Sequence, residues 1–124
     1  MKFRGLRVDG GGEIVGDLLS NICVDYVSID FTLPAIANED DILSVHPHTA
    51  AMSTGQTDKN GVEIFGSIPI NGKMSKGGDE IRLSETVTDI VIFSEGQFKP
   101  SKATNYEAWN FLNNCEIIGK QYKR

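Results

Sequence analysis

The chain is poor in several things, and each shortage excludes a class of protein. It has two cysteines, Cys23 and Cys115, with no Cys-x-x-Cys spacing. With no export signal ahead of them they read as buried free thiols rather than a disulfide. Long hydrophobic runs are missing too. The run Ile90-Val91-Ile92-Phe93 is far too short to span a bilayer, and Met1-Lys2-Phe3-Arg4-Gly5-Leu6-Arg7 has no apolar region behind its basic residues. The expectation is a cytoplasmic protein with no membrane partner. Between Arg7 and Lys59 there is no lysine or arginine, while Asp9, Glu13, Asp17, Asp25, Asp30, Glu39, Asp40, Asp41 and Asp58 fall there. That half would repel phosphates, which disfavours nucleic-acid binding through a broad basic face. Histidine is scarce: His46 and His48 are the only two.

What is present fits one domain over residues 1–124. A chain of 124 residues with 40% hydrophobic and 23% charged residues can bury a core without staples. Thirteen glycines against four prolines indicate many tight turns.

Lys2 to Val8 reads as a first strand whose alternation slips at Gly5, a sign of a bulge or close backbone approach. Asp9-Gly10-Gly11-Gly12 turns the chain into a return strand from Glu13 to Leu19. Val27, Ile29, Phe31 and Leu33 alternate cleanly with polar residues over Asp25–Leu33. Further strands are expected at Ile42–His46, Glu80–Leu83, Val87–Phe93 and Glu116–Tyr122; Val62–Phe65 and Ser67–Ile70 read as short apolar pieces, and Ser94-Glu95-Gly96 turns the chain toward Gln97–Lys99. Pro34–Asp41 and Thr54–Gly61 read as loop and turn, and Asn71–Gly78 as an exposed flexible loop. Thr104-x-x-Glu107 has the form of a capping box ahead of Tyr106, Trp109, Phe111 and Leu112, predicting one short C-terminal helix. The fold class expected is mainly β, a small barrel or sandwich with an N-terminal strand pair and that helix.

Candidate chemistry is thin. His46-Pro47-His48 places two imidazoles on one side of an extended segment. A zinc or iron site needs at least one more ligand, and no further histidine exists. Lys73-Met74-Ser75-Lys76-Gly77 resembles the KMSKS loop of class I aminoacyl-tRNA synthetases. This chain is too short for their catalytic domain and has no HIGH-like partner, so the match is coincidental. Gly72-Lys73 is followed by Met74 and fails the Walker pattern, and Asp58-Lys59-Asn60-Gly61 lacks the alternating ligands of a calcium loop. No nucleophile elbow is present, and neither cysteine has a catalytic signature. The reading is a non-enzymatic protein with no catalytic, cofactor or metal residues to assign. The basic residues Lys73, Lys76, Arg82, Lys120, Lys123 and Arg124 form the one candidate surface patch.

One stretch is more specific: Pro47-x-Thr49, then Thr54-Gly55-x-x-Asp58-Lys59-Asn60-Gly61-x-x-Ile64-Phe65. It resembles the central signature of the YopX family of bacteriophage and prophage proteins. Lys2-Phe3-Arg4-Gly5 with Val15-Gly16-Asp17-Leu18 is similar to that family's opening, and Cys115-Glu116-Ile117-Ile118-Gly119 to its closing strand. The chain departs from the pattern at Gly66-Ser67-Ile68-Pro69, where the family carries Glu-Gly-Asp; a Gly-Asp pair returns only at Gly78-Asp79. The resemblance implies an SH3-like β-barrel and a phage or prophage accessory protein, without implying an activity. The expected role is a binding or assembly module, with homo-oligomers through exposed strand edges as one route. The alternatives are association with nucleic acid through the basic patch, or a small metal-dependent enzyme using His46 and His48.

Overall fold

The computed structural model describes residues 2–19, 34–70, 72–102 and 115–123. The strand expected over Asp25–Leu33, the helix expected from Thr104, Cys23 and Arg124 lie outside the described residues. The rest is mainly β. The strands are β1 (Phe3–Leu6), β2 (Glu13–Leu19), β3 (Ala35–Ala37), β4 (Ile42–Ser44), β5 (Ala51–Thr57), β6 (Glu63–Ser67), β7 (Pro69–Ile70), β8 (Lys73–Met74), β9 (Asp79–Arg82), β10 (Thr88–Ser94), β11 (Gln97–Pro100) and β12 (Glu116–Lys120). Short 3₁₀ turns occupy Pro47–Thr49 and Gln121–Lys123. Among the described residues, no helix is long and apolar enough to cross a membrane.

The main sheet runs β12-β9-β10-β6-β5-β1-β2-β3-β4, with β11 on β10 and a separate β7–β8 hairpin. Pairing is antiparallel except between β6 and β10, which meet in parallel at Ser67 and Ile92. In a flat sheet the six steps from β12 to β2 would span roughly 29 Å at about 4.8 Å each. Yet Lys120 Nζ on β12 lies 2.7 Å from Glu13 Oε2 on β2. The sheet therefore coils until β9 and β12 lie over β1 and β2, while its hydrogen-bonded path stays open among the described residues.

This coiling accounts for the slipped pattern of β1. Its ladder with β2 is regular through Gly5, without a bulge. Phe3 packs on the cluster of Ile14, Ile36 and Val45 and on that of Ala50, Met52 and Ile68. Arg4 points to the opposite face and is nonetheless buried, because β9 covers it. A strand covered on both faces shows no polar–apolar alternation. Gly5 is the point of close approach, where a Cβ would lie 3.0 Å from Val45 Cβ.

Two strands take in residues expected to be irregular, from the Pro34–Asp41 loop and the Thr54–Gly61 turn. Ala35–Ala37 pairs with both β2 and β4. Ala51–Thr57 pairs with β6, and its register jumps between Ser53–Phe65 and Thr57–Glu63. The extra residues sit around Gly55, whose φ of 76° suits glycine. Thr54 Oγ1 donates to the Ile64 carbonyl at 2.9 Å and fastens the bulge to β6. A third core cluster joins Ile64, Ile81, Val91 and Cys115 beneath β6, β9 and β10.

Candidate functional site

Two segments that look unrelated in sequence form the walls of one cavity. The first is the turn Pro47–Thr49. The sequence pattern places His46 and His48 along an extended segment; Pro47 at the start of a 3₁₀ turn bends it instead. The His46 and His48 ring centroids lie 5.8 Å apart. Thr49 locks the turn to β1: its hydroxyl donates to the His46 carbonyl at 2.7 Å and accepts the Leu6 N–H at 2.9 Å.

The second wall is the β7–β8 hairpin and the residues after it. It is built, not merely solvated as its Lys, Ser and Gly content suggests. Ser75 is buried, its hydroxyl donating to the Ala50 carbonyl at 2.5 Å and accepting the Ile68 N–H at 3.0 Å. The Lys76 N–H donates to the His48 carbonyl at 2.7 Å and joins the two walls. Gly77 then passes so close to the first wall that a Cβ would lie 2.1 Å from the Thr49 carbonyl oxygen. Gly78 follows, donating its N–H to Ser67 Oγ at 2.8 Å.

The cavity between these walls measures about 400 Å³. Pro47, Ile70 and Met74 give it an apolar floor, and His48, Lys73, Ser75 and Lys76 its polar lining. Among the described residues, no acidic one lines it. Lys73 and Lys76 have no ion-pair partner among the described residues, whereas Lys2, Arg4, Arg7, Lys59, Arg82 and Lys120 all lie within ion-pairing distance of a carboxylate. The turn Gln121–Lys123 packs against the two walls: the Gln121 N–H donates to the Gly78 carbonyl at 3.0 Å, and the Tyr122 ring meets His48 edge-on at 6.4 Å.

The residues of the basic patch are thus distributed. Lys73 and Lys76 share the cavity, whereas Lys123 ends the turn Gln121–Lys123 and is not among the lining residues. Lys120 is held by Glu13. Arg82 is 4.0 Å from Glu116 at the other end of β9 and lines a separate cavity of about 350 Å³ with Lys59, Leu83, Ser84, Glu85 and Glu116. There, acids and bases neutralise one another. Among the described residues, no group of three His, Cys, Asp or Glu could hold a metal ion.

The Asp58-Lys59-Asn60-Gly61 stretch is a fastening. Asp58 Oδ1 accepts the N–H groups of Asn60 and Val62, and Oδ2 that of Ile117, each at 2.9–3.0 Å. Burial pushes its pKa upward, but the Ile117, Val62 and Asn60 N–H groups together outweigh that and hold the carboxyl below its ordinary 3.8. The Lys59 N–H donates to the Cys115 carbonyl, so the turn is stitched to the β12 segment twice. Cys115 is buried, and burial, with Asp58 nearby, pushes its thiol up to about 11, leaving it unreactive.

Sequence reasoning passed over a buried ion pair. Arg4 Nη2 donates to Asp79 Oδ1 at 2.6 Å and to the Gly77 carbonyl at 3.0 Å, and the guanidinium sits 4.5 Å above the Phe65 ring. Asp79 Oδ2 accepts the Phe65 N–H at 2.8 Å. Burial pushes Asp79 above its ordinary value, against the pull of Arg4 and the Phe65 N–H. Through Gly77 the pair supports the cavity wall from behind. Compared with protein-family models, curated proteins and solved structures, the chain matches none.

Proposed function

We propose that this chain is a non-enzymatic binding module that engages its partner at the cavity between the Pro47–Thr49 turn and the β7–β8 hairpin. The observation that carries this reading is a rigid frame of main-chain and Ser75 hydrogen bonds beneath a cationic rim with no carboxylate among the described lining residues. Such preorganisation favours binding because little order is lost when a partner arrives. Catalysis is a poorer fit: Ser75, whose hydroxyl is engaged both as donor and as acceptor, is not free to act as a nucleophile.

The resemblance of Pro47 to Phe65 to the YopX signature supports a phage or prophage accessory role and an SH3-like roll, and the coiled sheet is compatible with that roll. A nucleic-acid strand is a weaker candidate, since Arg82 and Lys120 point their charge into Glu116 and Glu13. A fragment screen followed by amide chemical shifts tests the reading. Saturable shifts at Ile70, Met74, Ser75 and Lys76 are expected; a library that perturbs none of these amides overturns it. Sedimentation on the same samples separates ligand binding from self-assembly, which predicts concentration-dependent dimers.

A further inference from the structure

The chemistry of the lining names a ligand class, and this step rests on the binding-module reading above. We infer that the cavity takes a phosphate monoester carried on a flat aromatic ring, the chemistry shared by a free nucleoside monophosphate and the phosphorylated end of a strand.

Three features converge on this. Charge comes first. Two lysines and a histidine line the cavity, with no carboxylate among the described lining residues, in a chain whose formal net charge is −5. Two ammonium heads with no ion-pair partner among the described residues suit a dianion better than a single carboxylate, and lysine binds phosphate as a point charge. The His48 ring adds an N–H donor in either protonation state.

The second feature is the apolar floor. Pro47, Ile70 and Met74 present hydrocarbon and a thioether, and Met74 is 37% exposed although it sits on a two-stranded hairpin. A thioether and flat aliphatic faces stack well against an aromatic ring. Inorganic phosphate alone would leave that floor wet. Size is the third. About 400 Å³ lies at the small end of the roughly 300–1,000 Å³ range of small-molecule sites. That volume is on the scale of one nucleotide.

Two backbone donors beside the cavity are already used: the Ser75 N–H goes to the Ile68 carbonyl and the Lys76 N–H to the His48 carbonyl. Recognition therefore falls to flexible side chains. Affinity is modest and salt-sensitive, unlike that of a phosphate loop.

Titration of the whole chain with adenosine monophosphate, ribose 5-phosphate, adenosine and inorganic phosphate, read by amide shifts and calorimetry, decides the matter. Adenosine monophosphate should bind at least tenfold tighter than each of the other three, shifting His48 and residues 73–76. K73A/K76A should weaken it roughly 25-fold, at about fivefold per exposed charge contact. Both lysines are exposed, so the variant should keep its fold, which circular dichroism verifies. A 5′-phosphorylated oligonucleotide binding more than tenfold tighter than the free nucleotide would identify a strand end as the source, and equal affinity a free nucleotide. Equal affinity for ribose 5-phosphate and adenosine monophosphate overturns the ring assignment. Unchanged affinity in K73A/K76A overturns the site. If fragments shift the cavity amides but no phosphate ester does, the ligand class fails while the binding-module reading stands.

Discussion

Substituting the two partners of the buried Arg4–Asp79 pair, singly and together, should give sharply non-additive costs. The side chains are 8% and 2% exposed, with 2.6 Å between Nη2 and Oδ1. At an effective dielectric of 20 their gross attraction is about 6 kcal/mol, and desolvating two ions offsets most of it. The pair is thus near neutral in net terms, but a lone survivor is costly. Asp79→Asn sets an amide N–H₂ against the guanidinium, which cannot shed its proton, and should cost about 4 kcal/mol. Arg4→Met should cost about 3 kcal/mol at pH 7. Burial already raises the folded pKa of Asp79, so it takes up a proton more readily as pH falls. Stability from a raised pKa is full below the unfolded value and is lost as pH rises through the folded one. The Arg4→Met protein should therefore recover stability as pH falls from 7. In the double variant no buried charge is left unpaired and the carboxamide introduced by Asp79→Asn still accepts the Phe65 N–H, for a total cost of about 2 kcal/mol. Urea unfolding by circular dichroism measures all four corners of the cycle. Single costs below about 1 kcal/mol, or a double cost equal to the sum, would refute the reasoning.

Asp58→Asn should cost about 2–3 kcal/mol at pH 7 by weakening three backbone hydrogen bonds. Because the Asp58 pKa is lowered on folding, its contribution is present above the unfolded value and lost as pH drops through the folded one. The gap between wild type and variant should shrink below about pH 4 in acid-unfolding curves. Ser75→Ala removes a buried hydroxyl that serves Ala50 and Ile68, and should cost about 1–3 kcal/mol. Hydrogen exchange at the Ile68 amide should speed up in step. Cys115 in a Cys23→Ser background should resist iodoacetamide until denaturant unfolds the chain, as peptide mass mapping would show; rapid labelling of native protein contradicts its burial.

Much of this architecture is legible in one dimension where turn chemistry and alternation agree. Glu13–Leu19 is found over its full length, and β10 within a residue at each end, because a glycine-bearing turn marks one end of each, Gly10–Gly12 before β2 and Gly96 after β10. β5 escapes because Ala51, Met52, Ser53 and Thr54 are small or mixed, and the bulge at Gly55 breaks any period of two. Arg4 reads as part of a basic N-terminus, since its partner lies 75 residues away. The cavity is hidden for a similar reason. His46-Pro47-His48 and Lys73-Met74-Ser75-Lys76 each fail as motifs in isolation, and the packing of Gly77 on Thr49 and Ala50, with the Lys76 N–H on the His48 carbonyl, brings them together. The Gly77-Gly78 pair is the one local signal of such a close approach.

The coiling of the sheet also bears on how the chain reaches its fold. β1 is an interior strand, paired on both sides, and the contacts that cover the β1–β2 pair come from far along the chain: Asp79 from 75 residues beyond Arg4 on β1, and Lys120 from 107 beyond Glu13 on β2. Topology dominated by such separations folds slowly, on the order of milliseconds to seconds. During synthesis at about 5–20 residues per second, Asp79 follows Arg4 by on the order of 4–15 s. Throughout that interval the β1–β2 hairpin has no cover for the Arg4 face. A leucine there would present a sticky edge to every other nascent chain. The guanidinium keeps that face hydrated until β9 arrives, so a charge of little net value in the finished protein guards the unfinished one.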